Sequence, residues 1–271
     1  MVNQYKLNIS GEHRRQWVGF DGAPVVSWAN ASYEVAKINS SFGFSYLNNQ
    51  LGAQQINEFK LGYAYRFVIA NAHQLIPGIH LGFQNSALDG TKLDPIDGSD
   101  PNIISSNQAA YAFVMGLGIQ YRFRHLIFGF GANQITGEKL ALTDQNAVST
   151  ITLVPHLYTV ASYDFHFGNL IRIMPKIFYK TDLNINQVDV GLWVGFDNLS
   201  KAFQRINIGA VYRTGDAIVV STDLQFKWFT IGYAYDITTT EIRNYSEGSH
   251  QGSIKIHLFK KKDEANNFSG L

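Results

Sequence analysis

Residues 108–123, QAAYAFVMGLGIQYRF, decide the fold because their side chains alternate between two kinds. The side chains of a β-strand point alternately to its two faces, so one face of this segment is apolar and the other is small or polar. The alternation runs for about 16 residues, whereas a strand of a globular protein has about five or six. The apolar face consists of Ala109, Tyr111, Phe113, Met115, Leu117, Ile119, Tyr121 and Phe123.

The same alternation recurs through most of the chain. It is clearest at residues 59–67, 188–196, 229–237 and 254–258, and no segment keeps a helical period. We therefore predict an all-β fold of about 14 strands, with strand bounds uncertain by about two to four residues. The predicted ranges are 3–10, 24–34, 37–46, 55–68, 74–84, 108–123, 125–132, 151–166, 170–180, 186–196, 204–213, 216–226, 227–236 and 250–259.

The connections between the predicted strands give a second signal. The odd-numbered connections are mostly long, with roughly 13, 8, 23, 18, 5, 2 and 13 residues. The even-numbered connections are mostly short, with roughly 2, 5, 1, 3, 7 and 0 residues. Outer-membrane barrels have the same asymmetry, with short periplasmic turns at one end and long extracellular loops at the other. We predict a transmembrane antiparallel up-and-down β-barrel over residues 1–259 and a polar C-terminal tail over residues 260–271. A soluble β-sandwich also alternates, but it explains the strand length and the loop asymmetry poorly.

The composition excludes several kinds of function. The chain has no cysteine, which excludes disulfide scaffolds, cysteine zinc sites and cysteine nucleophiles. Its net charge of +1 gives no bulk attraction for nucleic acid. Met1 leads directly into VNQYKLNIS, without the basic and apolar regions of a signal peptide. The chain is therefore either cytosolic or a mature chain with an added start methionine.

Charged residues share the strand phase opposite the aromatic row. In a barrel that phase points into the lumen, whereas at mid-depth against lipid each Arg or Lys would cost about 2–4 kcal/mol. Glycines on the same phase, among them Gly62, Gly191 and Gly232, reduce crowding inside the barrel. The charged set comprises Arg66, Arg122, Arg172, Lys176, Arg205, Arg213, Asp223 and Lys255.

Three segments carry a resemblance to a known family. They are HRRQWVGFDGAP at 13–24, YRTGDAI at 212–218 and IGYAYDITTTEIRNYSEGSH at 231–250. Together they are similar to the PorP/SprF family of Bacteroidetes outer-membrane proteins. The resemblance implies a 14-stranded barrel in the outer-membrane lipid bilayer that works with the type IX secretion and gliding machinery. It also implies two partners, namely a secreted adhesin with a C-terminal sorting domain and periplasmic or outer-membrane secretion proteins.

The chain departs from the family pattern at two places. Family members usually carry a signal peptide and an NPAYAG-like segment before the first strand. Both are absent here, which predicts a trimmed N-terminus. The acidic residue that usually follows GSH is Gln251, so a role for that acid does not carry over.

The first and last long loops hold the candidate partner-binding residues. Arginine pairs with carboxylates in a bidentate manner, and tryptophan is common at the centre of interfaces. The first and last strands adjoin when a barrel closes, so we expect the two loops to be neighbours. The alternative is that the first loop folds inward and forms salt bridges with the wall, and Asp216 is expected to be a turn residue after Gly215. The candidates are Arg14, Arg15, Trp17 and Asp21 in the first loop and Arg243, Tyr245 and His250, with Glu241, in the last.

Catalytic and metal sites are not expected. Ser162, Asp164 and His166 share one phase of one strand, but they are spaced about 7 Å apart, too far for a triad. The histidines lack metal-ligand spacing, and no cofactor is predicted. We predict a non-enzymatic secretion component. The alternatives are a 14-stranded channel or transporter for small or hydrophobic solutes, which conductance would reveal, and a soluble ligand-binding β-protein, which would dissolve without detergent.

Overall fold

The computed structural model describes residues 5–70, 72–94, 104–144, 147–200 and 202–260. Fourteen antiparallel strands form the wall, and two of them are interrupted by a single residue. The strands are β1 Tyr5–Arg15, β2 Val25–Val35, β3 Ser40–Leu51, β4 Gln54–Tyr65 continued by Phe67–Ala70, β5 His73–Asp89, β6 Asn107–Phe123, β7 Leu126–Asn133, β8 His156–Tyr163 continued by Phe165–Phe167, β9 Ile171–Thr181, β10 Asn186–Asp197, β11 Phe203–Arg213, β12 Ala217–Phe226, β13 Phe229–Thr238 and β14 Ser249–Lys260.

The wall closes between the first strand and the last. Each strand pairs with its neighbours in sequence, and β1 pairs with β14 from Tyr5 opposite Lys260 to Arg15 opposite His250. Closure leaves no open sheet edge around the wall, which a membrane interior requires. The predicted 14-stranded up-and-down barrel is confirmed. Among the described residues, no helix is long and apolar enough to cross a membrane.

The two faces of the wall are those that the alternation predicts. Tyr63, Phe113 and Tyr233 are exposed on the outside of the barrel. Arg172 and Asp236 are buried inside it. The apolar row therefore forms the exterior that contacts lipid, and the polar row lines the lumen.

The connections separate into two ends of different character. The described residues at the long-loop end are 16–24, 52–53, 90–94, 104–106, 134–144, 147–155, 182–185, 214–216 and 239–248, and those at the short-turn end are 36–39, 72, 124–125, 168–170, 198–200, 202 and 227–228. The predicted lengths of the first, third, fifth and seventh connections are wrong. The first is shorter because β1 continues to Arg15, the third is the tight turn Gly52–Ala53 where about eight residues were predicted, and the fifth is shorter because β5 continues to Asp89. The seventh is longer because β8 begins only at His156. Strands β1, β3 and β5 extend beyond their apolar patterns because polar residues can also form the backbone hydrogen bonds of a sheet.

A second hairpin lies inside the lumen, and we call its strands, Lys139–Asp144 and Ala147–Thr152, the plug hairpin. Its Leu140 and the adjoining Leu153 pack against Ala112 and Val114 on the inner face of β6. The single strand predicted at 151–166 is therefore wrong: its first residues belong to the plug hairpin, and β8 begins at His156. Leu153, Val154 and Pro155 separate the two.

The segment before the plug hairpin is hydrogen-bonded to the part of β6 near the long-loop end. β7 ends at Asn133, so β6 continues beyond its partner towards the long-loop end. Ile135 N–H donates to the carbonyl of Met115 (3.0 Å), and the Glu138 carboxylate accepts from Phe113 N–H (3.2 Å). The projecting edge of β6 is thereby engaged by its own loop.

Arg14, Asp189, Arg213, Asp216 and Asp236, which we call the loop-end ionic cluster, meet in the lumen near the long loops. Asp236 is 2 % exposed, and its Oδ2 lies 2.7 Å from Arg14 Nη2 and 2.8 Å from Arg213 Nη1. Arg213 also contacts Asp216 (3.1 Å) and Asp189 (3.4 Å). Each of the three segments that carry the family resemblance contributes to this cluster. Asp216 is thus a turn residue, as predicted, and an ion-pair partner as well.

A second set of ion pairs, the turn-end ionic cluster of Asp164, Arg172, Asp197 and Arg205, lies near the other end. Arg172 Nε lies 2.7 Å from Asp197 Oδ2, and its Nη1 lies 3.2 Å from Asp164 Oδ2. Arg205 pairs with the other oxygen of Asp197. The prediction that the charged phase lines the lumen is confirmed, and opposite charges are matched there.

Glycine makes room for the large lumen residue Trp193. A Cβ on Gly191 would lie 2.6 Å from the indole ring, and a Cβ on Gly209 would overlap it. These two glycines are required by the tryptophan rather than by backbone conformation. Small residues inside the barrel therefore reduce crowding, as the sequence predicted.

Replacing Asp236 by asparagine should destabilise the barrel strongly. The substitution leaves two partly buried guanidinium groups without the buried carboxylate that they share, and breaking a buried ion pair costs about 3–5 kcal/mol. The measurement is the urea concentration at which the protein unfolds in lipid vesicles. Asp216→Asn is the matched control, because Asp216 is 25 % exposed and has one partner, so its effect should stay below about 1 kcal/mol. Equal shifts for both variants would contradict the central role of Asp236.

Replacing Leu117 by arginine should also reduce stability, because Leu117 faces lipid. The expected loss is about 2–4 kcal/mol near mid-depth. Val160→Arg introduces the same side chain in β8, where it points into the open space of the lumen. Heat-modifiable migration and urea unfolding should show a large loss for the first variant and a small one for the second. A larger loss for Val160→Arg would reverse the assignment of the two faces.

Candidate functional site

The first and last loops, residues 16–24 and 239–248, form one structure that we call the two-loop rim. Val18 N–H donates to the carbonyl of Gly248 (2.8 Å), and Glu247 N–H donates to the carbonyl of Val18 (2.7 Å). Trp17 N–H donates to Ser249 Oγ at the start of β14 (3.1 Å). The predicted proximity of the two loops is confirmed, and it follows from the pairing of β1 with β14.

Local turns fix the shape of the two-loop rim. Trp17 has a φ of 49°, and its carbonyl accepts from Phe20 N–H (3.0 Å) to close a turn. The last loop contains a 3₁₀ turn at Glu241–Asn244, and the Tyr235 hydroxyl donates to the carbonyl of Glu247 (2.8 Å). Because both loops are tied to the wall and to each other, their exposed side chains are held in place.

A neighbouring turn at the long-loop end, residues 182–185, is closed by a carboxylate. Asp182 Oδ1 accepts from the backbone N–H groups of Ile185 (2.7 Å) and Asn184 (3.0 Å). These hydrogen bonds favour the ionised form and hold the pKa of Asp182 below its ordinary value. The turn therefore keeps its charged, closed form in mildly acidic medium and loses it only as the pH falls through that lowered pKa.

Five of the predicted partner-binding residues belong to the two-loop rim. Asp21, Glu241, Arg243 and Tyr245 are exposed, and Trp17 is half-buried. Tyr245 exposes 73 % of its surface. Phe20, which the sequence reading did not single out, is exposed beside Asp21. The rim thus presents aromatic and charged side chains together.

The prediction that Arg14 lies in the first long loop is wrong. Arg14 belongs to β1, where it pairs with Gln251 of β14, and its side chain points into the lumen to Asp236. Hydrogen bonding to β14 extends β1 beyond the end of its apolar pattern. The alternative in which the first motif forms salt bridges with the wall is thus correct for Arg14, through the strand rather than an inward-folded loop.

Arg15 and His250 are also strand residues, and placing them in the long loops was wrong. They lie opposite each other on the outward face of β1 and β14. His250 Nδ1 lies 2.6 Å from the Tyr233 hydroxyl, and its ring centroid lies 5.0 Å from that of Tyr235. The structure therefore separates these two residues from Arg243 and Tyr245 on the loops.

The sequence reading missed Asp189 and Asp236 as members of a site. Both lie on the lumen phase of their strands, so the alternation indicated that their side chains point inward. Which charged side chains meet there depends on the order and stagger of the strands. Gln251, which replaces the usual acid of the family, donates from Nε2 to Glu12 Oε2 inside the lumen (3.1 Å). A carboxylate is still present at this place, supplied by β1 instead of β14.

The lumen contains open space between β2 and β9. Its inner lining combines glycines with Lys60, His80, Gln120, Tyr158 and Val160. His80 Nε2 lies 2.9 Å from Asn133 Oδ1. The plug hairpin contacts β6 on the long-loop side of this space.

Ser162, Asp164 and His166 do not form a catalytic arrangement. The Asp164 carboxylate binds Arg172, whereas the ring of His166 lies 3.2 Å from the backbone carbonyl of Asp164. Within the described ranges, no group of three or more His, Asp or Glu side chains could hold a metal ion.

Several solved structures share the barrel. The toluene transporter TbuX of Ralstonia pickettii has a TM-score of 0.54 at 11% identity, covering 94% of this chain and 90% of its own. A FadL homologue of Pseudomonas aeruginosa has a TM-score of 0.52 at 8% identity, covering 93% and 89%. The monoaromatic hydrocarbon channel CymD has a TM-score of 0.52 at 10% identity, covering 94% and 89%. At these identities the likeness shows the fold alone, and no curated protein matches the sequence.

A family model covers nearly the whole chain. It is described as "Type IX secretion system membrane protein PorP/SprF", and it matches residues 2–256. This match agrees with the resemblance of the three segments that meet at the loop-end ionic cluster. With its apolar exterior and porin-like barrel, the protein resides in the outer membrane. The chain therefore belongs to the PorP/SprF family of type IX secretion system membrane proteins.

Proposed function

We propose that the barrel is a non-enzymatic component of type IX secretion and gliding that holds a secreted adhesin at its two-loop rim. The adhesin would carry a C-terminal sorting domain, and the short-turn end would contact periplasmic machinery. Membership of the family supports the link to secretion. The observation that carries the rest is the hydrogen-bonded pair of loops, anchored over buried ion pairs, with aromatic and charged side chains exposed.

The two-loop rim suits a macromolecular partner for two reasons. Long loops of outer-membrane barrels face the exterior, where a surface adhesin is attached. Loops already held in one conformation lose little entropy on binding, which favours affinity. Phe20 and Tyr245 would contribute apolar contact, and Asp21 and Arg243 would contribute charge complementarity.

The filling of the lumen supports an anchor over an open channel. The plug hairpin packs against β6, and the two ionic clusters join charged side chains across neighbouring strands inside the wall. Transport of small or hydrophobic solutes is the second candidate function, and the open space in the lumen between β2 and β9 favours it. Conductance separates the two functions.

The short-turn end offers a contact surface for periplasmic proteins. Several of its turns expose apolar side chains, which water alone does not favour. The indole of Trp228 also lies 5.2 Å from Lys227 Nζ. The exposed apolar residues in these turns are Ile38, Leu170, Leu199 and Trp228.

Replacing Tyr245 by serine should weaken adhesin retention. An exposed aromatic at the centre of an interface contributes enough that binding should fall about tenfold or more. The measurement is the amount of adhesin on the cell surface and in the medium, with the barrel quantified in the outer membrane. Tyr111→Ser is the matched control, because Tyr111 is 75 % exposed on the outer wall of β6 and lies outside the rim. Normal retention in Tyr245→Ser cells, or an equal loss in the control, would reject the rim as the binding surface.

Removing the plug hairpin should open the lumen to ions. Leu153 N–H donates to the carbonyl of Glu138 (2.9 Å), so the ends of the hairpin are adjacent and a short Gly-Ser linker can replace residues 139–152. In planar bilayers the intact protein should conduct little, and the deletion should conduct steadily. Heat-modifiable migration controls for folding. Steady conductance of the intact protein would favour the channel, and a folded but closed deletion would show that the hairpin is not the barrier.

A further inference from the structure

Where the structure describes the side chains of the outer wall, that wall is nearly free of positive charge. The described strand residues present apolar, aromatic or uncharged polar side chains to the outside, apart from Arg15, a few histidines and Asp89 at the end of β5. Among strand residues whose side chains the structure describes, Arg15 is the one outward-facing arginine or lysine. Its side chain points outward because side chains alternate along β1, in which Arg14 points into the lumen and Ile9 is exposed on the outside.

Arg15 belongs to a group of polar side chains that we call the wall cluster, made of His13, Arg15, Tyr233 and His250. His250 lies directly opposite Arg15 across the β1–β14 pair, and His13 lies two residues along on the same face. His250 Nδ1 lies 2.6 Å from the Tyr233 hydroxyl, and His13 Nδ1 lies 2.9 Å from Ser27 Oγ. The side chains are thus positioned by their neighbours on the wall.

No carboxylate neutralises this cluster. Within the part of the chain that the structure describes, Arg15 forms no ion pair, although it is exposed. Every lumen arginine of the two ionic clusters, by contrast, has an acidic partner. A guanidinium group on a membrane-facing wall gains most from an anion that the membrane itself supplies.

The cluster lies at the height of the lipid head groups. Towards the short-turn end, the next outward residues of β1 and β14 include Ile9, Ile254 and Ile256, which suit acyl chains. Towards the long-loop end, β1 finishes at Arg15 and the two-loop rim begins. The cluster contains Tyr233 and lies beside Tyr235, and tyrosine is enriched at membrane–water interfaces.

We propose that the wall cluster binds the phosphate of a phosphorylated lipid in the outer leaflet. Arginine binds phosphate through two parallel N–H···O bonds, and the imidazole and phenol groups beside it supply further donors. A lipid would thereby contact β1, β13 and β14 on the outside, whereas on the inside Asp236 of β13 binds Arg14 of β1. The proposal depends on the orientation of the barrel but not on adhesin binding.

The test measures binding of fluorescent lipid A to the folded, detergent-solubilised full-length protein. Lipid A with both phosphates should bind at least about tenfold more tightly than its dephosphorylated form, and Arg15→Gln should remove that preference. Tyr233→Phe should weaken binding a few-fold by removing one hydroxyl. Arg124→Gln is the matched control, because Arg124 lies in a short turn over the Phe123 ring and should bind as the wild type does.

Three results would overturn the proposal: equal affinity for the two forms of lipid A, unchanged binding by Arg15→Gln, or an equal loss in Arg124→Gln. If a second membrane protein co-purifies with the wild type but not with Arg15→Gln, and the complex contains no phosphorylated lipid, the cluster binds a protein neighbour instead. Heat-modifiable migration checks the fold of each variant. Adhesin retention should be normal in Arg15→Gln cells, so failure of this proposal is distinguishable from failure of the rim.

Discussion

The ring of backbone hydrogen bonds that joins β14 back to β1 is the constraint on which the rest of the structure depends. A bilayer supplies no partner for a peptide N–H or carbonyl, so a sheet can cross it only when it has no edge. Closure then forces every strand to have one face towards lipid and one towards the lumen. It also brings the first and last loops together, and so creates the two-loop rim.

Charges inside the barrel follow from the same closure. Side chains that cannot face lipid are concentrated in a narrow lumen, where an unpaired charge is costly and a matched one is tolerated. Asp236 meets arginines of β1 and β11, strands that are far apart in sequence. The two clusters therefore match opposite charges near the two ends of the lumen, and the plug hairpin adds an apolar contact inside the wall.

Alternation in the sequence was enough to predict the strands, their two faces and the proximity of the terminal loops, because each follows from the period of two and from closure. It failed where backbone pairing continues beyond the apolar pattern, as at Arg14 and Arg15 of β1. It also failed at residues 151–166, where the end of the plug hairpin was predicted to be the start of a wall strand. In the sequence, only Pro155 marks the boundary between the hairpin and β8. The partners of Asp236 depend on strand stagger, which a local pattern does not encode.

The loop that follows β7 does more than lead to the plug hairpin. Its backbone and Glu138 occupy groups on the part of β6 that outruns β7. If the backbone N–H and carbonyl groups on this part of β6 were unpaired, an extended polypeptide could pair with them as an extra strand. The backbone groups of Phe113 and Met115 that this loop occupies are thereby closed to any strand that would add itself there.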